Sequence, residues 1–307
     1  MKKYSNLIII LITFLILILV LFNKNLVSST ILTSFYIWFN TLVPSMFPMF
    51  VLSDILINYN FITIIPNTIT NFISKVLNIS KEAVLVLFIS LISGFPGNAL
   101  AIKNSYDLKL ITKNEASHLL LYTHFSNPLF ILQTIGTFYL KNNIYGIIIL
   151  ISHILSNIII AIIFRNNNIP SNNYISKNNN CQSFTTILSN SIKRSINTLL
   201  MIAGTVTSFL IISTLICHIF QLNNYLSVII KSILEMTMGL SSLSLLNIKD
   251  IYKVIFSSII ISFGGLSIHM QVISILEDIP YHNYLKGRIY QSIISSIISF
   301  ILFILFA

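Results

Sequence analysis

The chain has 307 residues, of which 55% are hydrophobic and only 8% charged, and its formal net charge is +10. A soluble domain carries roughly 25% charged residues, so much of this surface must face lipid. The basic residues do not form one face, as nucleic-acid binding requires. They lie in the gaps between apolar runs, where positive charge sets membrane orientation. Composition therefore indicates an all-α polytopic membrane protein and excludes a nucleic-acid partner.

The first apolar run, residues 7–22, follows Lys2 and Lys3 and has the shape of a signal peptide. No small-residue cleavage site follows this run, and its length approaches that of a membrane span. We therefore predict that residues 1–30 form a retained N-terminal transmembrane helix.

Further apolar segments follow along the chain. They cover residues 33–57, 83–102, 119–140, 144–164, 197–220, 225–247, 254–276 and 289–307. Segments 144–164 and 289–307 contain no proline and are typical membrane spans. Residues 61–78 differ, because their apolar side chains recur at helical spacing with polar ones on the other faces. That pattern predicts a helix lying in the membrane interface.

The longest polar stretch, residues 165–194, contains bases and no acid, which predicts a cytoplasmic linker. It divides the chain into a first membrane half, residues 31–164, and a second, residues 195–307. The tripeptide Asn-Thr-Leu occurs in both halves, at residues 40–42 and 197–199, and in each it precedes a Gly-broken segment. The sequence thus predicts a weak two-half repeat.

Segments 83–102 and 254–276 each have basic residues at both ends. A full crossing would put one of the two basic clusters outside, against the positive-inside bias. Segments that dip into the membrane and return would keep both clusters in the cytoplasm. We therefore expect a re-entrant hairpin in each half.

Functional residues are expected where helices are interrupted, because lipid offers no hydrogen-bond partner to freed backbone groups. The predicted interruptions are Pro44 with Pro48, Gly94-Phe95-Pro96-Gly97-Asn98, Ser126-Asn127-Pro128 and Gly264-Gly265-Leu266-Ser267. Transporters use such half-helix ends to hold substrates and ions near the midplane. A proline kink without a ligand is the alternative for any single break. Several breaks with Asn, Ser or His beside them favour a binding cavity.

Local signals around Pro128 support a half-helix in the third segment. Thr112 and Glu115 have the spacing of a capping box, which predicts that a helix begins near Lys113. Pro128 has no N–H and so leaves the carbonyl of His124 without its helical partner. The helix is therefore expected to end inside the membrane.

Two acids lie in apolar segments. Glu235 is the stronger functional candidate, because a carboxylate in lipid is costly. The alternative is an ion pair with Lys231, one helical turn earlier. Asp54 lies near the end of its segment and is predicted to be an interfacial residue.

Several polar side chains also fall within apolar segments. His153 and Asn157 are four residues apart on one helix face and are expected to form interhelical hydrogen bonds. His269 and Gln271 follow the Gly264-Gly265 break and are candidates for the wall of a cavity. His118 is expected to be exposed.

Signals for an enzyme are weak. Ser267 and His269 are only two residues apart, which does not favour a nucleophile–base contact. The sequence has no His-Glu-x-x-His motif and no P-loop. Cys181 and Cys217 have neither a disulfide framework nor metal-type spacing around them. We therefore expect no catalytic residue, no metal and no cofactor.

Five stretches together resemble one known family. They are Ser93-Gly94-Phe95-Pro96-Gly97-Asn98-Ala99, Leu110-Ile111-Thr112-Lys113-Asn114-Glu115-Ala116, Phe125-Ser126-Asn127-Pro128-Leu129-Phe130-Ile131, residues 38–48 and residues 263–272. These residues resemble the YlbJ-type (SpoVV) sporulation integral membrane proteins of the nucleoside-recognition, or Gate-domain, group. The resemblance extends over nearly the whole chain. It departs from the family pattern at Asn98 and Leu100, which replace Gly and Lys; Lys103 follows about one turn later.

The resemblance implies an endospore-forming Gram-positive bacterium and a fold similar to concentrative nucleoside transporters. It also implies a place in the outer forespore membrane, across which the family brings dipicolinic acid from the mother cell. The predicted function is therefore a secondary transporter or facilitator of a small organic anion. The alternative is a non-transporting membrane protein of spore assembly, which binds a partner or a signal on a transporter-like scaffold.

The predicted substrate-binding residues lie at the breaks or beside them. They are Gly94, Pro96, Gly97, Asn98, Ser126, Asn127, Glu235, Gly264, Gly265, Ser267 and His269. We expect their side chains to converge on one cavity, with Glu235 on its wall or nearby. The expected partners are an anionic small molecule and the lipid bilayer, and a homo-oligomer is left open.

Overall fold

The computed structural model describes residues 2–59, 61–165 and 183–307. The α-helices are α1 (Lys2–Phe22), α2 (Lys24–Ile37), α3 (Val43–Asn58), α4 (Asn67–Leu77), α5 (Lys81–Ser93), α6 (Gly97–Asp107), α7 (Lys113–Leu119), α8 (Asn143–Ile163), α9 (Phe184–Ile219), α10 (Asn224–Leu234), α11 (Met236–Ser244), α12 (Asp250–Phe263), α13 (Gly265–Leu276) and α14 (His282–Phe306). Two π-helical segments, Trp38–Leu42 and Phe130–Tyr139, and a 3₁₀ turn, Phe61–Thr63, lie between them. No strand occurs in these ranges, which confirms the all-α prediction for them.

Polar side chains mark where many of the helices start. Ser80, Thr112, Asn142, Ser183 and Asn223 each precede a helix and accept a backbone N–H of its first turn. The cap at Thr112 confirms that a helix begins at Lys113. These caps satisfy N–H groups that would otherwise have no partner at a helix end.

Five stretches among the described residues are long and apolar enough to cross a membrane. They are Lys24–Asn58, Asn143–Ile163, Phe184–Ile219, Asp250–Leu276 and His282–Phe306. A bilayer core requires about 20 apolar residues in a helix, so each can span it. The prediction of a polytopic membrane protein is therefore supported.

The predicted interruption at Pro44 and Pro48 is wrong. Helix α2, the π-helical segment Trp38–Leu42 and α3 form one continuous stretch. Pro44 lies in the first turn of α3, where its missing N–H removes little helical hydrogen bonding. Pro48 is accommodated inside the same helix.

The predicted interfacial helix in residues 61–78 corresponds to α4. It bends by 94° into α5, so the two do not form one straight span. Ile69 and Phe72 on this helix are exposed, while Thr70 and Leu77 are buried. An apolar exposed face of this kind suits the boundary between lipid and water.

The two sides of the membrane are defined by the ends of α8. Residues 166–182, the middle of the predicted linker, lie outside the described residues, and residues 184–194 are the first turns of α9. We name the side of Arg165 the linker side. The side of Asn142 is the opposite side, and α12 also begins there, because Tyr145 Oη donates to Asp250 Oδ2 at 3.1 Å.

Helices α5 and α6 form a re-entrant hairpin, hairpin 1, whose ends both lie on the linker side. At its start the N–H of Ser80 donates to Glu115 Oε1 at 2.7 Å. Glu115 belongs to α7, where His118 Nε2 also contacts a carbonyl oxygen just after α8 at 2.6 Å. At its end Lys103 Nζ lies 3.6 Å from Glu277, between α13 and α14.

His118 is half-buried, because its ring packs against the end of α8 through the contact of Nε2 with that carbonyl. The prediction that it is exposed is wrong.

Helices α10 and α11 form a second hairpin, hairpin 2, which enters from the opposite side. Its two helices pack closely, because a Cβ added at Gly239 would lie 2.5 Å from Ser232 Cα. Hairpin 2 ends beside the start of α12, where Lys253 Nζ donates to the carbonyl of Ser244 at 3.0 Å. Segment 225–247, predicted to be one apolar segment, is therefore broken between α10 and α11.

The predicted re-entrant hairpin at 254–276 is wrong. Helix α12 starts on the opposite side at Asp250, whereas α13 ends on the linker side, next to Glu277. The break at Gly264 therefore lies in the middle of a full crossing, Asp250–Leu276. Basic residues at both ends of this segment end up on different sides, so the charge rule is broken there.

The remaining crossings run between the two sides in alternating directions. Helices α8 and α14 are antiparallel, because Tyr145 packs on Phe303 and Phe164 packs on Tyr290 with ring centroids 5.4 and 5.0 Å apart. Helix α7 with the π-helical segment Phe130–Tyr139 forms a broken crossing from the linker side to the opposite side. The α12–α13 pair is a broken crossing in the reverse direction.

Asp54, which the sequence predicts to be an interfacial residue, is buried among other helices near the linker side. Its side chain is 1% exposed and accepts from Asn104 Nδ2 at 2.6 Å and Ser191 Oγ at 2.7 Å. Arg194 Nη1 lies 3.3 Å from the same carboxylate. These contacts join α3, hairpin 1 and α9 near the linker side.

Topology can be tested with single cysteines in a chain whose two native cysteines are replaced by Ser. We expect Lys81→Cys and Lys109→Cys to react with an impermeant thiol reagent from one side of sealed vesicles. Lys141→Cys and Lys249→Cys should react from the other side, because all four positions are exposed at the ends described above. Labelling of Lys81→Cys and Lys109→Cys from different sides would turn hairpin 1 into a full crossing.

Candidate functional site

The tip of hairpin 1 packs against the break in the first broken crossing. Gly94 has φ +72°, and a Cβ added there would lie 2.5 Å from the backbone N of Asn127. A side chain is excluded there by both the backbone conformation and the lack of space. The neighbouring Phe95 ring stacks on the imidazole of His124 with centroids 4.4 Å apart. The turn at the tip of hairpin 1 and the break before Pro128 thus pack directly against each other.

The tip of hairpin 2 packs against the break in the second broken crossing in a comparable way. A Cβ added at Gly265 would lie 3.1 Å from the backbone N of Met236, at the tip of hairpin 2. A Cβ added at Gly264 would lie 3.4 Å from His124 Nε2. Both Gly-broken turns therefore contact His124, and we name the region around this side chain the junction.

Neighbouring helices satisfy the backbone groups that the break at Pro128 sets free. Asn157 Nδ2 donates to the carbonyl of His124 at 2.8 Å, the carbonyl that Pro128 leaves without a helical partner. The N–H of Ser126 donates to His153 Nε2 at 2.9 Å. The predicted interhelical hydrogen bonds of His153 and Asn157 are confirmed, and they lie at the junction.

Two tyrosines at the start of α14, Tyr281 and Tyr284, connect His124 to His269. The hydroxyl of Tyr284 lies 3.0 Å from His124 Nδ1, and its ring is 5.1 Å from the His269 ring. His269 Nδ1 makes a hydrogen bond with the hydroxyl of Tyr281. His269 Nε2 lies 2.9 Å from the carbonyl of Phe263. The predicted site residue His269 is therefore within this network.

Arg288 holds the two broken crossings together. Its side chain is fully buried, and its guanidinium donates to the carbonyl of Leu121 at 3.2 Å and to that of Ser262 at 3.4 Å. These carbonyls lie at the C-terminal ends of α7 and α12, where the helix dipole favours a cation. In the described part of the chain no ion pair involves Arg288. Arg288 is one of the basic residues that follow segment 254–276 in the sequence, and its position there gives no sign of this role.

Glu235 caps a helix and does not pair with Lys231. Its side chain is 1% exposed, and Oε2 accepts from the N–H of Met238 at 2.9 Å and from the hydroxyl of Thr237. Lys231 Nζ instead points to Ser242 Oγ, 3.4 Å away. The carboxylate therefore sits at the N-terminus of α11, at the tip of hairpin 2.

Several buried polar atoms at the breaks have no hydrogen-bond partner among the described residues. They are both amide atoms of Asn98, the hydroxyls of Ser126 and Ser267, and Nε2 of His124. Unpartnered buried polar atoms are uncommon and costly. Asn98 and Ser267 lie in the first turns of α6 and α13, whose N-caps, Pro96 and Gly264, provide no side-chain hydrogen bond. Three of these residues, Asn98, Ser126 and Ser267, belong to the predicted site.

The junction is closed in this conformation, because the side chains of Asn98, His124 and Ser267 are fully buried.

A separate cavity of about 360 Å³ lies toward the opposite side, between hairpin 2 and the end of the π-helical segment Phe130–Tyr139. Lys141 and Lys253 line it. Ligand cavities have volumes of about 300–1,000 Å³.

Comparison with known proteins adds a likeness over most of the chain. The chain is similar to a sporulation membrane protein. It is 23% identical over 305 residues to the sporulation integral membrane protein YlbJ of Bacillus subtilis (strain 168), covering 86% of this chain and 74% of that protein. No family model and no solved structure matches the chain. The likeness supports the resemblance drawn from the break motifs.

The contact between Gly94 and Asn127 can be tested with alanine. Gly94→Ala should destabilise the protein by about 2 kcal/mol or more, because the added Cβ meets backbone atoms at positive φ. Gly204→Ala is the matched control, since no atom lies within 4 Å of the added Cβ. Thermal unfolding in detergent measures both variants. Equal stability of the two would contradict the close packing of hairpin 1 on the break.

Proposed function

We propose that this chain is a YlbJ-type membrane protein of sporulation and that it transports a small organic anion. The observation that supports this best is that hairpin 1 and the second broken crossing both lie against His124 of the first broken crossing, while hairpin 2 packs on the adjacent Gly265. Transporters place their solute where interrupted helices meet near the midplane, because the free helix ends supply directed polar groups.

The direction of the elements supports a transporter architecture. In the first half a hairpin from the linker side is followed by a broken crossing, α7 with Phe130–Tyr139, and an intact one, α8. In the second half a hairpin from the opposite side is followed by the broken crossing α12–α13 and the intact α14. The same order in opposite directions is the pattern of an inverted repeat. We propose that the fold is similar to that of concentrative nucleoside transporters of the Gate-domain group.

The free helix ends indicate an anionic solute. Helices α6 and α13 direct uncapped N-termini to the breaks, and N-terminal N–H groups favour carboxylates. By resemblance to the family the solute is dipicolinic acid, a small dianion at neutral pH, and the membrane is the outer forespore membrane. Lys141 and Lys253 line the cavity on the opposite side, which fits an anion's route to or from the junction.

The closed junction favours one alternative function. A transporter-like scaffold whose junction stays filled would bind a partner or a signal in spore assembly without moving a solute. Transport requires hairpin 1 or hairpin 2 to move away from the break that it covers. The two functions therefore differ in whether the junction opens.

Uptake into vesicles distinguishes these functions. Purified protein in sealed vesicles should take up radiolabelled dipicolinate in a saturable manner. Ser267→Ala should reduce uptake at low solute by roughly tenfold, since a hydrogen bond to a charged group contributes about 1.5–3 kcal/mol. Ser208→Ala is the matched control, because its hydroxyl is on α9 and bonds only within its own helix. No uptake by folded wild-type protein would favour the alternative.

A further inference from the structure

The two hairpins differ in what occupies the N-terminus of their second helix. In hairpin 2 this helix is α11, and the carboxylate of Glu235 caps it through the N–H of Met238 at 2.9 Å. In hairpin 1 it is α6, an 11-residue helix whose N-cap, Pro96, makes no side-chain hydrogen bond. Both N-termini lie at hairpin tips that pack against a helix break.

Buried polar atoms without a hydrogen-bond partner lie both in the first turn of α6 and in the break that packs against hairpin 1. Asn98, in its first turn, is fully buried, and neither Nδ2 nor Oδ1 has a partner among the described residues. Ser126, in the break that packs on Gly94, is 2% exposed, and its hydroxyl is also without a partner there. These side chains offer donors to an anion at the place where the helix dipole favours one.

We propose that Glu235 is a built-in carboxylate ligand of hairpin 2, and that a solute carboxylate takes the corresponding position in hairpin 1. The N-terminus of α6 with Asn98 and Ser126 is then the carboxylate site. The assignment to hairpin 1 rests on the proposed function, because it requires an anionic solute. The role of Glu235 does not, because its cap is part of the fold. Glu235 accordingly acts as an internal ligand of α11.

Removal of the internal ligand tests the first part. Glu235→Ala should lower the unfolding temperature of the purified full-length protein by about 2–4 °C or more, as loss of a helix cap does. Sodium formate, whose carboxylate fits the space of the deleted group, should restore much of this loss when sodium chloride at equal concentration does not. Ser80→Ala is the matched control, because it removes the cap of α5 without removing a carboxylate. Formate should not restore that variant.

Asn98→Leu tests the second part, because Leu is close to Asn in size and has no polar atoms. An unpartnered buried amide does not stabilise the fold, so this variant should be at least as stable as wild type without ligand. Dipicolinate should raise the unfolding temperature of wild type, and its affinity for Asn98→Leu should fall by about tenfold or more. A less stable unliganded variant, or an unchanged affinity, would overturn the assignment of the site.

The outcomes separate the two proposals. Formate that restores Ser80→Ala as well as Glu235→Ala, or neither, would overturn the role of Glu235. If wild type neither binds nor transports dipicolinate while formate restores Glu235→Ala alone, the proposed function fails and the internal ligand stands. Transport by wild type together with unchanged affinity in Asn98→Leu would leave the function in place and overturn the hairpin 1 site.

Discussion

The structure depends on one constraint, which is that lipid offers no hydrogen-bond partner to the backbone groups freed where a helix breaks. Each break in this protein is therefore covered by another part of the chain. Asn157 Nδ2 donates a hydrogen bond to the carbonyl of His124, and the Arg288 guanidinium donates to the carbonyls of Leu121 and Ser262. The breaks lie together because protein at that depth is the only available partner.

The same constraint explains why the polar junction is valuable for binding. Freed groups that the protein does satisfy fix the geometry of the broken crossings, as in the bond from the Ser126 N–H to His153. The side-chain atoms of Asn98 and Ser267 have no partner among the described residues, and they lie in the first turns of α6 and α13. A site with rigid supports and free donors is suited to a small anion, provided that a hairpin opens to admit it.

Sequence reasoning succeeded where a break has a local cause. The turns at Gly94, Pro128 and Gly264 are visible because Gly and Pro change the backbone itself. The break at Glu235 contains neither residue and depends on packing of α10 on α11, so periodicity could not reveal it. The positive-inside bias predicts a re-entrant hairpin for segment 254–276, but the segment crosses the membrane. Its two ends are held on different sides by contacts with α8 and with hairpin 1.

The residues that sequence reasoning missed are those that act across long separations. Arg288 stands near a loop in the sequence, and only the fold shows that it reaches carbonyls of two other helices. His124 directly precedes the Phe125-Ser126-Asn127-Pro128 motif, and this neighbourhood was the one available signal. Only its contacts with Phe95 and Gly264 distinguish His124 from the other polar residues nearby as the centre of the junction.

The contact of both Gly-broken turns with His124 is the central claim, and solid-state NMR in lipid bilayers measures it directly. Protein labelled with ¹⁵N at the His124 imidazole and with ¹³C at the Phe95 ring and at Gly264 would report both distances through dipolar couplings. The account predicts a measurable coupling to each partner, in keeping with the 4.4 Å ring separation and with the place of Gly264, where an added Cβ would lie 3.4 Å from Nε2. A coupling to Phe95 without one to Gly264 would show that the two halves do not meet at this residue, and would contradict the account.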